Sequence, residues 1–218
     1  DICKRHEILL IIDDIQAGCG RTGRFFSFEE AGIQPDIITL SKSLSGYGLP
    51  FAVVLFKPEL DVWSPGEHNG TFRGNCHAFV TATAALKEFW SDDDFAASVR
   101  EKGDYISNRL DTIAEQYGEG NFYAKGRGMF QGINCVNGEI AGKIAHEAYT
   151  HGVIIETSGT NDEIIKLLCP LTISQEALTK GIDIIEAAVK VVCSSLDEVP
   201  DDSCYFDEVI LQEKAKCS

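Results

Sequence analysis

The chain has 218 residues, 44% of them hydrophobic and 24% charged, and 19 Lys+Arg against 34 Asp+Glu give it a formal net charge of −15. Disordered, collagenous and coiled-coil classes are excluded by that composition, which leaves a globular protein long enough for a real core. The acidic balance makes nucleic acid and anionic membrane surfaces poor partners, and no apolar run approaches the roughly 20 residues that span a bilayer.

The first residue is Asp1, and the only methionine is Met129. DICKRHE runs without a turn signal into LLIID, as a last helical turn before a strand would, so the chain reads as a carboxy-terminal portion of a longer protein. Ile8 to Ile12 is a continuous apolar run, expected to be a strand buried on both faces and ended by Asp13 and Asp14. Asp36 to Leu40 and Phe51 to Phe56 are the next two strands, the first of them followed by Ser41, Lys42 and Ser43. Asn75 to Trp90, rich in alanine and free of Gly and Pro, predicts a buried helix.

Phe95, Val99, Ile106, Leu110, Ile113 and Tyr117 recur at helical spacing and predict a long amphipathic helix ending at Gly118. Beyond it, Phe130 to Val136 reads as a strand, Glu139 to His151 as a helix, and Val153 to Ile155 and Ile164 to Leu168 as short strands. Leu178, Ile182, Ile185, Val189 and Val192 form the stripe of a closing helix. The pattern predicts an α/β protein: residues 1–93 as part of a large domain, 94–193 as a small α+β domain, and 194–218 as an acidic, mobile tail with at most a turn or two of helix around Phe206 to Lys216.

Eight cysteines, from Cys3 to Cys217, show no C-x-x-C spacing and no paired histidine, so neither a metal site nor a disulfide framework is indicated. Scattered thiols suit a reducing, cytoplasmic compartment. Gly18-Cys19-Gly20-Arg21-Thr22-Gly23 matches the letters of a dinucleotide fingerprint. That motif must open a long helix, however, and the segment after it is stopped by Gly32 and Pro35. No Gly-Lys-Ser/Thr follows a glycine-rich loop, which excludes a P-loop.

Asp13 and Lys42 each end a predicted strand, and in open α/β sheets the carboxyl edge is where ligands sit. A carboxylate suits a cationic ring nitrogen, and a lysine amine suits an aldehyde; pyridoxal phosphate presents both groups. Side chains alternate along a strand, so only one of Asp13 and Asp14 meets such a ring.

The stretch ILLIIDDIQAGCGRTGRFFSFEEAGIQPDIITLSKSLSGYGLP resembles the signature of class III (omega) aminotransferases, pyridoxal-phosphate enzymes of fold type I. The resemblance implies Asp13 as pyridinium partner, Gln16 as contact to the phenolic oxygen of pyridoxal 5'-phosphate, and Lys42 as Schiff-base lysine. Gly70 to Asn75 is similar to a family loop whose threonine, here Thr71, reaches the cofactor phosphate of the neighbouring subunit, which implies a homodimer or an oligomer of dimers. Asp14 stands where most of the family has Glu, and Lys166 where most has an Arg that holds a substrate carboxylate. Lys166 and Arg73 are accordingly the candidate substrate contacts, Arg127 a further candidate anion contact, and His68 a structural residue.

Together with ELDVWSPGEHNGTFRGN, GRGMFQGI, IIETSG and KLLCPLTI, these departures look like the branch that serves ectoine biosynthesis. That likeness implies L-glutamate/2-oxoglutarate and an amino-aldehyde, L-aspartate 4-semialdehyde, as substrates. The alternatives are another omega-aminotransferase acting on ornithine, acetylornithine or 4-aminobutyrate, or an inert product of the same fold. Residues 1–218 alone are expected to be inactive, because the resemblance places a phosphate-binding loop and a ring-stacking aromatic upstream of Asp1.

Overall fold

A computed structural model describes residues 1–71, 73–118 and 121–197. The described residues divide into two compact units, the first residues 1–103 and the second from Asp104 onward. The sequence places this boundary at 93/94, where the helix that crosses it begins.

In the first unit, the short helix α1 (Ile2–Arg5) precedes β1 (Ile11–Asp13), β2 (Ile37–Leu40) and β3 (Val53–Phe56), which form a sheet in that order. β1 and β2 are parallel and β2 and β3 antiparallel. Cys19, Leu40 and Leu44 are buried at the centre, with Phe25, Phe26, Ile38, Phe51 and Val53 packed around them. The apolar run from Ile8 is only partly strand. Among the described residues β1 pairs with β2 alone and Ile11 is 58% exposed, so the expected burial on both faces is not seen in this chain. α2 (Cys76–Phe89) starts at Asn75, whose side-chain oxygen accepts from the Ala78 N–H at 3.3 Å. It buries Ala78 and Ala82, while Val80 is 69% exposed, so it is a surface helix and not the buried one its composition suggests. Its small residues let it lie close to the chain after β2, and Phe79 packs edge-on against Phe51 with centroids 5.3 Å apart.

The amino end of the sheet is held by one carboxylate. Asp36 Oδ2 accepts from the Leu10 N–H at 2.7 Å, and Asp36 Oδ1 pairs with Lys57 Nζ at 2.5 Å, so a single side chain ties the starts of β1 and β2 to the end of β3. The Leu10 N–H, and after it Lys57, hold the Asp36 carboxyl below its ordinary value.

α3 (Asp94–Tyr117) begins in the first unit and continues into the second. The second unit has an antiparallel sheet in the order β4 (Tyr123–Arg127), β5 (Phe130–Asn134), β7 (Ile164–Leu167), β6 (Glu156–Ser158), together with α4 (Gly138–Thr150) and α5 (Gln175–Asp197). Ile106, Leu110, Ile113, Ile133, Ile144, Ile165, Ile182 and Val189 are buried, so the helical stripes and the strand runs meet in one core. Arg109 of α3 donates to Asp183 at 2.7 Å and Glu186 at 2.9 Å on α5, and Tyr105 donates to Thr179 at 3.0 Å.

Two strands depart from the sequence reading. β4 was not expected, because YAKGR has no apolar run; it forms because its backbone pairs with β5 along its whole length. The strand expected at Val153 to Ile155 lies instead at Glu156–Ser158, where the chain pairs with β7. α5 continues to Asp197, and the turn expected around Phe206 to Lys216 lies outside the described residues. Among the described residues no helix is long and apolar enough to cross a membrane.

Asp36→Asn should lower the stability of the first unit, with a lower urea midpoint at neutral pH. A carboxyl held below its ordinary value stabilises the fold above the unfolded value, about 4, and that contribution is lost as pH falls through the folded value. The difference between native protein and variant should therefore be full at pH 7 and shrink in acid, as followed by circular dichroism.

Candidate functional site

Asp13 and Lys42 lie at the same edge of the first sheet. β1 and β2 run parallel with Asp13 opposite Thr39, so both segments leave the sheet at its carboxyl end. Ser41 is extended, and Lys42 then turns the chain with φ +50° as the first residue of a 3-10 turn, Lys42–Ser45. A left-handed lysine costs of order 1–3 kcal/mol and persists only where its surroundings hold it.

Several contacts do so. Ser41 Oγ donates to the Phe51 carbonyl at 2.7 Å, the Leu44 N–H to the Ser41 carbonyl at 3.1 Å, and the buried Ser45 hydroxyl accepts from the Gly48 N–H at 2.9 Å. Gly46 has φ +71°, and a Cβ there would lie 2.5 Å from the Ala85 Cβ, so the turn rests directly on α2. Lys42 itself is exposed, and its amine has no hydrogen-bond or ionic partner among the described residues.

The two aspartates have different surroundings. Asp13 is exposed, and its Oδ1 accepts from the Ile15 N–H at 3.0 Å and the Thr39 hydroxyl at 3.3 Å. Its Oδ2 has no hydrogen-bond partner among the described residues. Asp14 is fully buried, with Oδ2 accepting from the Ser27 N–H at 2.9 Å and Oδ1 unpartnered. A Cβ on Gly18 would lie 2.7 Å from the Asp14 carbonyl oxygen, so only glycine allows the chain to turn this closely over it. Burial, and secondarily the charge of Asp14, push the Cys19 thiol up to about 11. Asp14 thus organises the glycine-rich turn, whereas Asp13 offers an open oxygen at the sheet edge.

That turn does not open a helix. Gly20 and Gly23 have φ of +91° and +95°, and Arg100 clamps the turn by donating to the Gly23 carbonyl at 3.1 Å while pairing with Asp93 at 2.5 Å. Phe25 then packs edge-on against Phe26 and Trp90, with centroids 4.9 and 5.0 Å apart, and only a 3-10 turn, Glu29–Ala31, follows. This geometry offers a dinucleotide no helix amino terminus. Gln16 sits in the turn, half-buried, and its amide has no partner among the described residues.

Thr71 is exposed in the loop before α2; Phe72 of that loop lies outside the described residues. The Arg73 guanidinium donates to the His68 carbonyl and meets the His68 ring at 3.2 Å, and that ring lies edge-on to Trp63 with centroids 5.4 Å apart. Arg73 and His68 therefore brace their own loop. Lys166 belongs to the second unit, on β7 opposite Glu156, with Nζ 3.0 Å from the Glu156 carboxylate. The Lys166 side chain is 15% exposed and that of Glu156 65%, and both border a mostly apolar cavity of about 450 Å³ that also includes Ile155, Leu168 and Cys169. Its charge already has a partner.

The residues at the first sheet's edge fit pyridoxal 5'-phosphate by their chemistry: an open carboxylate oxygen for a ring nitrogen, an unpaired primary amine for an aldehyde, and an amide for the phenolic oxygen. Thr39 contacts Asp13 and Ser41 holds the turn at Lys42, two contacts that the sequence reading did not foresee. A threonine at a strand end has no distinguishing signal until its register against β1 is known.

The architecture is that of fold-type-I aminotransferases. The profile described as Aminotransferase class-III matches residues 1–189, and the chain belongs to that family. It is 54% identical over 193 residues to a diaminobutyrate–2-oxoglutarate transaminase of Vibrio parahaemolyticus, covering 88% of this chain and 46% of that protein. To the corresponding protein of Halomonas elongata it is 57% identical over 191 residues, covering 87% and 45%. The chain thus spans about half the length of these relatives. Among solved structures, an ornithine delta-aminotransferase of Plasmodium falciparum is similar with a TM-score of 0.78 at 26% identity, covering 89% of this chain and 50% of that one. An N-acetylornithine aminotransferase of Stenotrophomonas maltophilia gives a TM-score of 0.74 at 28% identity, covering 89% and 50%.

Replacing Asp14 by Ala should lower stability by about 1–3 kcal/mol, because the part-buried Ser27 N–H loses its acceptor. Asp13→Ala should stay within about 0.5 kcal/mol of the native protein, as exposed substitutions do. Urea unfolding of the two variants side by side checks the assignment.

Proposed function

We propose that the complete protein transfers the amino group of L-glutamate to L-aspartate 4-semialdehyde, giving L-2,4-diaminobutyrate and 2-oxoglutarate, the transamination that serves ectoine biosynthesis. The observation that carries this reading is the 54–57% identity to diaminobutyrate–2-oxoglutarate transaminases along 86–88% of the chain. Another omega-aminotransferase activity, on ornithine or acetylornithine, is the second reading, favoured by the two solved structures of that kind; their identity is only 26–28%.

Pyridoxal 5'-phosphate, when bound, supplies an aldehyde for the substrate amine and a ring that draws electrons from the substrate Cα. Asp13 presents its open oxygen to the ring nitrogen and keeps the proton there, since an ionised carboxylate beside a cationic nitrogen favours the charged form of both. Lys42 would supply the primary amine for the aldehyde and would hold or release a proton as general base and acid. Its left-handed backbone starts a turn at the carboxyl end of β2, the end of the sheet at which Asp13 closes β1. Gln16 donates its amide N–H to the phenolic oxygen.

Thr71 is assigned to the phosphate bound in a second subunit, so the working form is a homodimer or an assembly of dimers. We place the enzyme in the cytoplasm on the scattered spacing of its cysteines. Lys166, tied to Glu156, is a weaker carboxylate holder than an unpaired cation at that position; binding a substrate carboxylate there would require it to exchange partners.

In the complete protein, Lys42→Ala should abolish the borohydride-stable pyridoxyl label, and peptide mapping of the native protein should find that label on Lys42. Asp13→Asn should still take up cofactor at saturating concentration, though with lower affinity, and lose turnover by orders of magnitude, because each unit of lost proton affinity is about 1.36 kcal/mol. Formation of 2-oxoglutarate from L-glutamate should be fastest with aspartate semialdehyde as acceptor. A label on Lys57 or Lys166, or a faster rate with an ornithine-type substrate, would overturn the corresponding assignment.

A further inference from the structure

Every contact to the Asp13 carboxylate among the described residues falls on one oxygen. Oδ1 accepts from the Ile15 N–H at 3.0 Å and from the Thr39 hydroxyl at 3.3 Å, and Oδ2 accepts nothing. The first donor is backbone, two residues along, and would be there whatever the side chains nearby. The second comes from the adjacent strand. Thr39 is the register partner of Asp13 in the parallel β1–β2 pair, and paired residues present their side chains on the same face of the sheet. An ionised carboxylate only accepts hydrogen bonds, so the hydroxyl must be the donor. As a β-branched residue Thr39 has a stiff side chain, which holds the hydroxyl toward its partner.

Resting on the reading of Asp13 given above, we propose that Thr39 is a positioning residue. By occupying Oδ1 from across the sheet, it fixes the rotamer of Asp13 and leaves Oδ2 as the oxygen that faces the ring nitrogen of pyridoxal phosphate. Without it, the carboxylate keeps one backbone contact and turns about its own bonds, so the open oxygen is no longer held in one direction. The effect belongs to the ring nitrogen alone. Lys42, Gln16 and the phosphate contacts do not pass through Thr39.

That restriction yields a test by binding. The complete protein is titrated with pyridoxal 5'-phosphate and with its carbocyclic analogue, in which a C–H replaces the ring nitrogen. The native protein should prefer the cofactor, and Asp13→Asn should erase the preference. Thr39→Val, which keeps shape and strand preference and removes only the hydroxyl, should weaken cofactor binding about tenfold, the size of one hydrogen bond to a charged group, and leave binding of the analogue unchanged. Thr39→Ser should restore most of the loss, and Thr39→Val should add nothing in the Asp13→Asn background, since neighbours acting through one group are not additive.

Equal weakening of cofactor and analogue by Thr39→Val would mark a merely structural residue and overturn the proposal. So would retention of the full preference in Thr39→Val while Asp13→Asn loses it. If the native protein shows no preference, or Asp13→Asn keeps it, the assignment of Asp13 to the ring nitrogen falls, and the role of Thr39 falls with it.

Discussion

The parallel pairing of β1 with β2 is the constraint on which the candidate site depends, because it brings two positions 29 residues apart in sequence, Asp13 and Lys42, to one edge of one sheet. Parallel strands cannot be joined by a tight turn, and here the connection carries the glycine-rich turn and the aromatic cluster of Phe25, Phe26 and Phe28. The pairing is held from both ends by aspartates. Asp36 takes the Leu10 N–H at the amino end, and Asp13 takes the Thr39 hydroxyl at the carboxyl end. A slip of one residue would send every side chain to the other face, so these polar contacts and the core around Leu40 specify the same register.

The site also shows how adjacent residues of the same type divide their work. Asp14, one residue beyond β1, is enclosed and spends its hydrogen bonding on the turn that follows, where Gly18 passes too close for any side chain. Asp13, with the same carboxylate, remains at the surface with one oxygen open. The unfavourable backbone of Lys42 is held in a similar way, by Ser41, Ser45 and the close approach of Gly46 to α2. The chemically interesting side chains are left open while their neighbours Asp14, Ser41 and Ser45 hold the backbone around them.

The second unit has a different logic. Its sheet is antiparallel, its core is built from helical stripes and β-branched strands, and Arg109 links α3 to α5 through two carboxylates. Lys166 there is part of a cross-strand pair, which is an ordinary stabilising contact in an antiparallel sheet.

Much of this was legible in the chain itself, for reasons of periodicity. α3 and α5 follow from apolar residues repeating at helical spacing, and β2 and β3 from β-branched runs. Asp13, Gln16 and Lys42 stood out through a long motif and Thr71 through a short loop, which mark the residues without giving the contacts that orient them. Tertiary structure alone decided the rest. β4 exists because β5 offers it a partner, and β6 lies where β7 does, since strand pairing depends on a neighbour that the local sequence does not contain. The exposure of Ile11 and Val80 depends on which elements lie beside them rather than on their own hydrophobicity. The contact of Thr39 with Asp13 and the pairing of Lys166 with Glu156 are likewise consequences of register, a relation between strands and therefore a property of the folded chain.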